Sequence, residues 1–240
     1  MVAAGGKAIM QPVAARSIPG AGAVAFYGVR PAWWHLWQQA LDQRREWWYI
    51  DNSYFDVARE KQFRVTRNAL QYVSTPARAS DGKRLAKLGI TVPARPAGEH
   101  IVICPQSAEF MRTLAQWPGD WLESVVGVLP RRTQRTLRIR LKADRTPLAD
   151  DLRGAWALVT HSSAAAVEAV AAGIPAFCTG YMALAHVAQS QLECVEQARA
   201  PHRSTAQARL AVLADHQWTL DEIARGHALR GGCDTRGNGG

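Results

Sequence analysis

Short apolar runs alternate with amphipathic stretches along most of the chain. Residues 24–28 are apolar and closed by Gly28 and Pro31, which predicts a short buried strand. Pro31 suits a first helical turn, and Trp34, Trp37 and Leu41 then recur at helical spacing, so a helix is expected before the charged stretch 42–46. Residues 47–51, aromatic and ending in Ile50 and Asp51, predict a second strand that runs out into Asn52 and Ser53. Residues 63–67 alternate and predict a further strand. The stretch 74–96, rich in Ala, Arg, Pro and Gly, reads as a loop or linker with one short helix at 84–88.

Beyond it the pattern sharpens. Residues 100–104 form a continuous apolar run of the kind buried on both faces of a parallel sheet, followed by Pro105, Gln106, Ser107 and a helix from about Ala108. Helices are expected at 121–129, 148–154 and 163–172, and strands at 137–141, 156–160 and 174–178. Two helices, 183–199 and 206–225, precede a glycine-rich end from Gly231. Alternating strands and helices with short connections imply parallel sheets covered by helices on both faces, an α/β class of Rossmann-like architecture. The expected division is a first α/β domain at 23–96, a second at 97–230, and flexible tails at 1–22 and 231–240.

Composition narrows the choice of partner. Hydrophobic residues make up 48% and charged residues 20% of 240, an ordinary globular balance rather than that of a disordered chain. No apolar run approaches the ~20 residues needed to span a bilayer. Cys104, Cys178, Cys194 and Cys233 show neither paired spacing nor nearby histidines, so no metal site and no disulfide framework is indicated. With no apolar stretch of ~7–15 residues near the N-terminus, a cytoplasmic location is expected. The net charge of +9 is concentrated: residues 59–95 carry +7 and residues 131–145 carry +6, against −4 elsewhere. Clustered base attracts polyanions, whether a diphosphate, nucleic acid or an anionic membrane surface.

In open parallel sheets ligands bind beyond the carboxyl ends of the strands, where turns and helix starts present backbone N–H groups. The turns at Pro105, Gln106 and Ser107, after Leu141, and at Thr160, His161, Ser162 and Ser163 qualify. In the last, Ser162 or Ser163 is a natural N-cap, small residues at 164–166 allow close approach of a phosphate, and Glu168 lies about one and a half turns along, placed to accept hydrogen bonds from a ribose diol.

The stretch 160–175, a His161/Ser162 turn leading into a helix that bears Glu168 and closing on Gly173-Ile174-Pro175, resembles the donor-binding signature of GT-B glycosyltransferases, especially the capsular-polysaccharide type. The resemblance implies a GT-B-like fold and a nucleotide-sugar donor as cosubstrate, with no separate cofactor. It further implies donor contacts from Gln106, Ser107, Ser162, Ser163 and Glu168, and a basic element in which Arg140 and Lys142 meet the diphosphate. His161 is a candidate catalytic residue. The turn directly after the first strand carries no His, where some members keep a catalytic base; Asp51 is the candidate base, acting on an acceptor hydroxyl, although the residues 51–53 favour a turn-forming Asx cluster.

On the acceptor side, Trp47 and Trp48 are expected to face opposite ways, leaving at least one for stacking on a sugar or nucleobase. Arg64 and Arg67 are placed on one side of an alternating strand, to track a phosphate backbone. These features suggest a hydroxymethylated base in DNA as acceptor, as in phage-type DNA modification. A surface glycan is the other acceptor considered, and a non-catalytic nucleic-acid-binding protein is the reading from outside enzymology.

Overall fold

The computed structural model describes residues 16–18, 20–28, 30–55, 60–72, 80–180, 183–184 and 187–231. Residues 1–15 and most of 231–240, expected as tails, lie outside that set, as do Cys233 and residues 74–79 of the expected linker. The chain divides into two compact units, residues 1–74 with 213–240, and residues 75–212. The division therefore runs at 74/75 rather than 96/97, and the C-terminal segment returns to the first unit.

In the first unit, β1 (Val24–Tyr27) leads through a 3-10 turn, Pro31–Trp33, into α1 (Trp34–Asp42), then β2 (Trp47–Asn52) and β3 (Gln62–Arg67). The residues expected in a tail just before β1 are tied down: the Ile18 N–H donates to Gln39 Oε1 at 3.2 Å, and Arg45 Nε donates to the Gly22 carbonyl at 2.9 Å.

In the second unit, α2 (Lys83–Lys87) precedes β4 (His100–Cys104), α3 (Ala108–Thr113), α4 (Trp121–Val128) and β5 (Thr136–Ile139). Then follow α5 (Leu148–Leu152), β6 (Ala155–Thr160), α6 (Ala165–Ala171) and β7 (Ala176–Cys178). Residues 192–197 form a 3-10 helix, and α7 (Arg203–Ala214) crosses the boundary between units. The chain re-enters the first unit with β8 (Gln217–Thr219), α8 (Leu220–Ala224) and α9 (His227–Gly231).

Two helical expectations are corrected. The stretch 183–199 is not one helix: the Cys178 N–H donates to the Gln189 carbonyl at 2.7 Å, pinning residues 187–190 beside β7, and among its described residues only the 3-10 turn is helical. The stretch 206–225 is broken at Gln217–Thr219, which pairs with β3. Thr219 then caps α8 reciprocally with Glu222, a capping box that marks a fresh helix start.

The second unit's sheet has the order β5-β4-β6-β7 and is parallel throughout. β4, β6 and β7 read as apolar runs because both faces are covered, whereas β5 at the edge alternates and is largely exposed. Ile101, Ile103, Ala157, Val159 and Phe177 pack with Met111, Trp121, Val125 and Leu129, while Val102, Leu158, Val167 and Val170 are also fully buried. The first unit departs from the expected parallel sheet. Its order is β1-β2-β3-β8; β1 and β2 run parallel, but β2 and β3, and β3 and β8, are antiparallel. Between Asn52 and Gln62 the chain is shorter than the dozen or so residues a parallel crossover requires.

The first sheet is also covered twice. On one face Phe26, Trp47 and Tyr49 pack against Ala40 of α1; on the other Trp48, Phe63 and Val65 pack against Ile223 and Ala228 of the returning C-terminal segment.

Candidate functional site

The β5-β4-β6-β7 order reverses direction between β4 and β6. The connection through α3 and α4 moves one way from β4, and every later strand is added on the other side. At such a switch point adjacent loops diverge to opposite faces and leave a crevice beyond the carboxyl ends of the strands. Here the loops are residues 105–107 and 161–164. Two contacts hold them together: Thr160 Oγ1 donates to the Cys104 carbonyl at 2.6 Å, and Gln106 Oε1 accepts from both the Ser162 backbone N–H at 3.1 Å and the Ser162 hydroxyl at 2.9 Å. Gln106, expected as a ligand contact, thus spends its carbonyl as a strap across the crevice. Its amide NH2 keeps two donors that no described residue takes.

The serines are corrected in role. Neither Ser162 nor Ser163 is the N-cap of α6, which starts after Ala164. Ser162 is withdrawn by Gln106, and the Ser163 hydroxyl accepts from the Ala165 N–H at 3.3 Å. Ser107 does cap a helix: its hydroxyl accepts from the Phe110 N–H at 3.2 Å. At the far end of α6, Gly173 has φ +75°, its N–H donates to the Val170 carbonyl at 3.0 Å, and the Ile174 N–H donates to the Ala169 carbonyl at 2.9 Å. This is the Schellman closure, which favours glycine at that position.

His161 turns toward α3 and is buried. Its Nδ1 lies 3.1 Å from Thr179 Oγ1, and the ring is edge-on to Trp117 at 5.5 Å and Phe110 at 6.4 Å. Thr179 Oγ1 also accepts from Trp121 Nε1 at 2.8 Å. Burial disfavours the imidazolium and lowers the His161 pKa, so the ring is neutral at pH 7. Thr179, Gly180 and Trp121 were not singled out from sequence. The signal was present, because Thr179 and Gly180 follow the last apolar run as the other turns follow theirs.

Four charged side chains act on Cys104 at the end of β4. Burial drives the thiol up to about 12; Arg140 opposes the shift, and Asp151, Glu168 and Asp144 reinforce it. Glu168 is half-buried on α6, and its charge acts on the Cys104 thiol. Arg140 is held in place: its guanidinium pairs with Asp151 and donates to Thr146, both at the hydroxyl, 3.2 Å away, and at the carbonyl. Lys142 is exposed and has no ion-pair partner among the described residues. Of the two expected diphosphate contacts, Arg140 is a fixed positive charge and Lys142 a mobile one.

The candidates in the first unit are structural. Asp51 accepts from Arg64 Nη2 at 2.6 Å, the Tyr49 hydroxyl at 2.9 Å and the Asn52 N–H at 2.8 Å. A carboxylate with three donors is poorly placed to act as a base. Burial, aided by Asp51, pushes the Tyr49 phenol pKa up. Arg64 and Arg67 lie on opposite faces of β3, as a separation of three requires: Arg64 stacks over Tyr49 and Tyr54, and Arg67 pairs with Glu46 above Trp48. Trp47 and Trp48 do face opposite ways, but both are buried, 5% and 8% exposed, because helices cover both faces. None of the four is available to an acceptor.

Among the described residues no group of three His, Cys, Asp or Glu side chains is arranged to hold a metal ion, and no helix is long and apolar enough to cross a membrane. No protein-family model matches the chain, and no curated protein matches it. Among solved structures it is similar to the beta Kdo 2,4 transferase KpsC of Thermosulfurimonas dismutans, at 14% identity and a TM-score of 0.40, over 85% of this chain and 86% of that one.

Proposed function

We propose that the chain is a nucleotide-sugar-dependent glycosyltransferase, with the donor seated at the β4/β6 switch point and a hydroxyl as acceptor. The observation that carries the reading is the strapped pair of loops: the strand order brings Gln106 and Ser162 within hydrogen-bonding distance, and the turns ending β4 and β6 form one polar rim. The Gln106 amide and the Ser107 and Ser163 hydroxyls face a donor's oxygens. Lys142 and the fixed charge of Arg140 neutralise the diphosphate as it leaves, the electrostatic work a metal ion does elsewhere. Glu168 accepts from the ribose hydroxyls. His161, neutral and buried, shapes the turn that seats the donor rather than supplying charge.

For the acceptor, the reading favours a surface-glycan hydroxyl over a DNA base, because the aromatic and basic residues expected to take DNA are packed in the first unit's core.

The test is a thermal-shift panel of UDP-, GDP-, ADP- and CMP-sugars on the wild type and Glu168→Ala. A ligand at a hundred times its Kd stabilises by about 2.7 kcal/mol. The expected result is a shift from one donor class that the variant loses; no shift from any donor, or an equal shift in the variant, overturns the site.

A further inference from the structure

The exposed edge of the second unit's sheet carries a charge and apolarity pattern that the donor site does not use. In the order β5-β4-β6-β7, β5 pairs among the described residues only with β4, so no described strand covers its other edge. Of the basic residues of 131–145, Arg135 is consumed by Glu196 and Arg140 by Asp151. Arg131, Arg132, Arg138 and Arg145 remain exposed without an ion-pair partner among the described residues. The one acidic residue in the stretch, Asp144, accepts from the Leu141 N–H at 2.8 Å. In the same stretch stand two large aliphatic side chains, Ile139 and Leu141, 48% and 49% exposed, on the opposite face of the edge strand from Arg138. Their alternation partner Leu137 is half-buried and packs against the core, so the apolar row of β5 starts in the protein and runs out into solvent.

We propose that this edge docks the protein on an anionic phospholipid surface. Cations around an anionic bilayer gain from its surface potential, and aliphatic side chains among them enter the headgroup boundary, a combination peripheral membrane proteins depend on. A single-stranded nucleic acid is the competing polyanion, but it is gripped by aromatic platforms, and the apolar members of this edge are aliphatic. The inference is independent of the donor reading.

The experiment is co-sedimentation of the full chain with vesicles of phosphatidylcholine alone and of phosphatidylcholine mixed with phosphatidylglycerol, at low and high salt. Two variants are compared with the wild type, Arg131→Gln/Arg132→Gln/Arg138→Gln and Ile139→Ser/Leu141→Ser, each checked for wild-type thermal unfolding. Binding is expected only to the phosphatidylglycerol vesicles and weakens with salt. The triple variant lowers partitioning roughly a hundredfold, about fivefold per cation, and the Ser variant lowers it about tenfold. Equal binding to both vesicle types, or variants that bind like the wild type, overturns the proposal. So does tighter binding to single-stranded DNA that the Ser variant leaves unchanged, which would assign the edge to nucleic acid.

Discussion

Gly180→Ala tests the description of the His161 pocket more sharply than any removal of a side chain. A Cβ built at Gly180 lies 2.3 Å from His161 Cε1 and Nε2 and 2.7 Å from Cδ2, whereas ordinary contact begins at 3.4 Å. The Gly180 backbone does not require glycine, since its φ is not in the left-handed region, so the whole cost arises from the ring. The imidazole has to retreat by about 1 Å, and its surroundings resist. Thr179 Oγ1 sits 3.1 Å from Nδ1, Trp117 and Phe110 close the edges, and the residue is only 8% exposed.

Overpacking of this kind costs about 1–3 kcal/mol, and losing the contact to Thr179 adds about 1 kcal/mol. The apparent Tm should fall on the order of 5–10 °C. The discriminating measurement is a double-mutant cycle by urea unfolding. With His161→Ala in place the added methyl enters vacated space, so Gly180→Ala should cost under about 0.5 kcal/mol there, a coupling of about 2 kcal/mol. The same penalty in both backgrounds would refute the placement of the ring against Gly180, and with it the neutral, wedged histidine of the proposed donor site.

Gly98→Ala should cost more, above about 3 kcal/mol, because its Cβ would meet the Ala155 carbonyl at 2.3 Å and the Trp156 nitrogen at 2.4 Å, backbone atoms of a central strand; chemical denaturation reads this, and a loss under 1 kcal/mol contradicts the packing. His161, with its pKa lowered from 6.5 by burial, makes stability full above pH 6.5 and progressively lost as the pH falls from there through the lowered native value, since the unfolded chain takes up the proton first; His161→Gln should flatten that limb in a pH series of melts. Of Cys104, Cys178 and Cys194, the first two are buried with raised thiol pKa values, so mass spectrometry after iodoacetamide treatment of the native protein should find Cys194 alkylated and the other two protected. Arg140→Ala should lower thermal stability as well as donor binding, since Asp151 is left half-buried without its cation; a variant of wild-type stability that loses only the donor contradicts the structural role.

The second unit was legible because its physics is local. Strands buried on both faces read as continuous apolar runs, and His100–Cys104 and Ala155–Thr160 lie within one residue of where those runs predict them. The first unit was less so, because what decides its topology is distant in sequence. The strand Gln217–Thr219 is three residues long inside a helix-like pattern, and only its pairing with Gln62–Arg64 makes it a strand. The same return of the chain brings Ile223 and Ala228 onto the Trp48 face, which turned an expected exposed aromatic into core. One error was avoidable: fewer residues separate β2 from β3 than a parallel connection needs, so their antiparallel pairing could have been inferred from spacing alone.

The signature 160–175 illustrates why a motif legible in sequence does not by itself divide into ligand contacts. Gly173 closes α6, the Pro175 carbonyl accepts from the Leu158 N–H at 2.9 Å to start β7, and Ser162 is claimed by Gln106. Each follows from the need to satisfy backbone and buried polar groups where a parallel strand hands over to a helix. They would be wanted in this βαβ unit whatever it bound. What the fold does not require is a half-buried glutamate whose charge reaches the thiol of Cys104, or a neutral histidine wedged between Thr179 and Gly180. Burial disfavours the charged form of both the Cys104 thiol and the His161 ring. A half-buried carboxylate and a buried imidazole at a sheet's switch point are where function should be sought first, which is why Glu168, rather than a better-aligned serine, is the residue on which the donor assay turns.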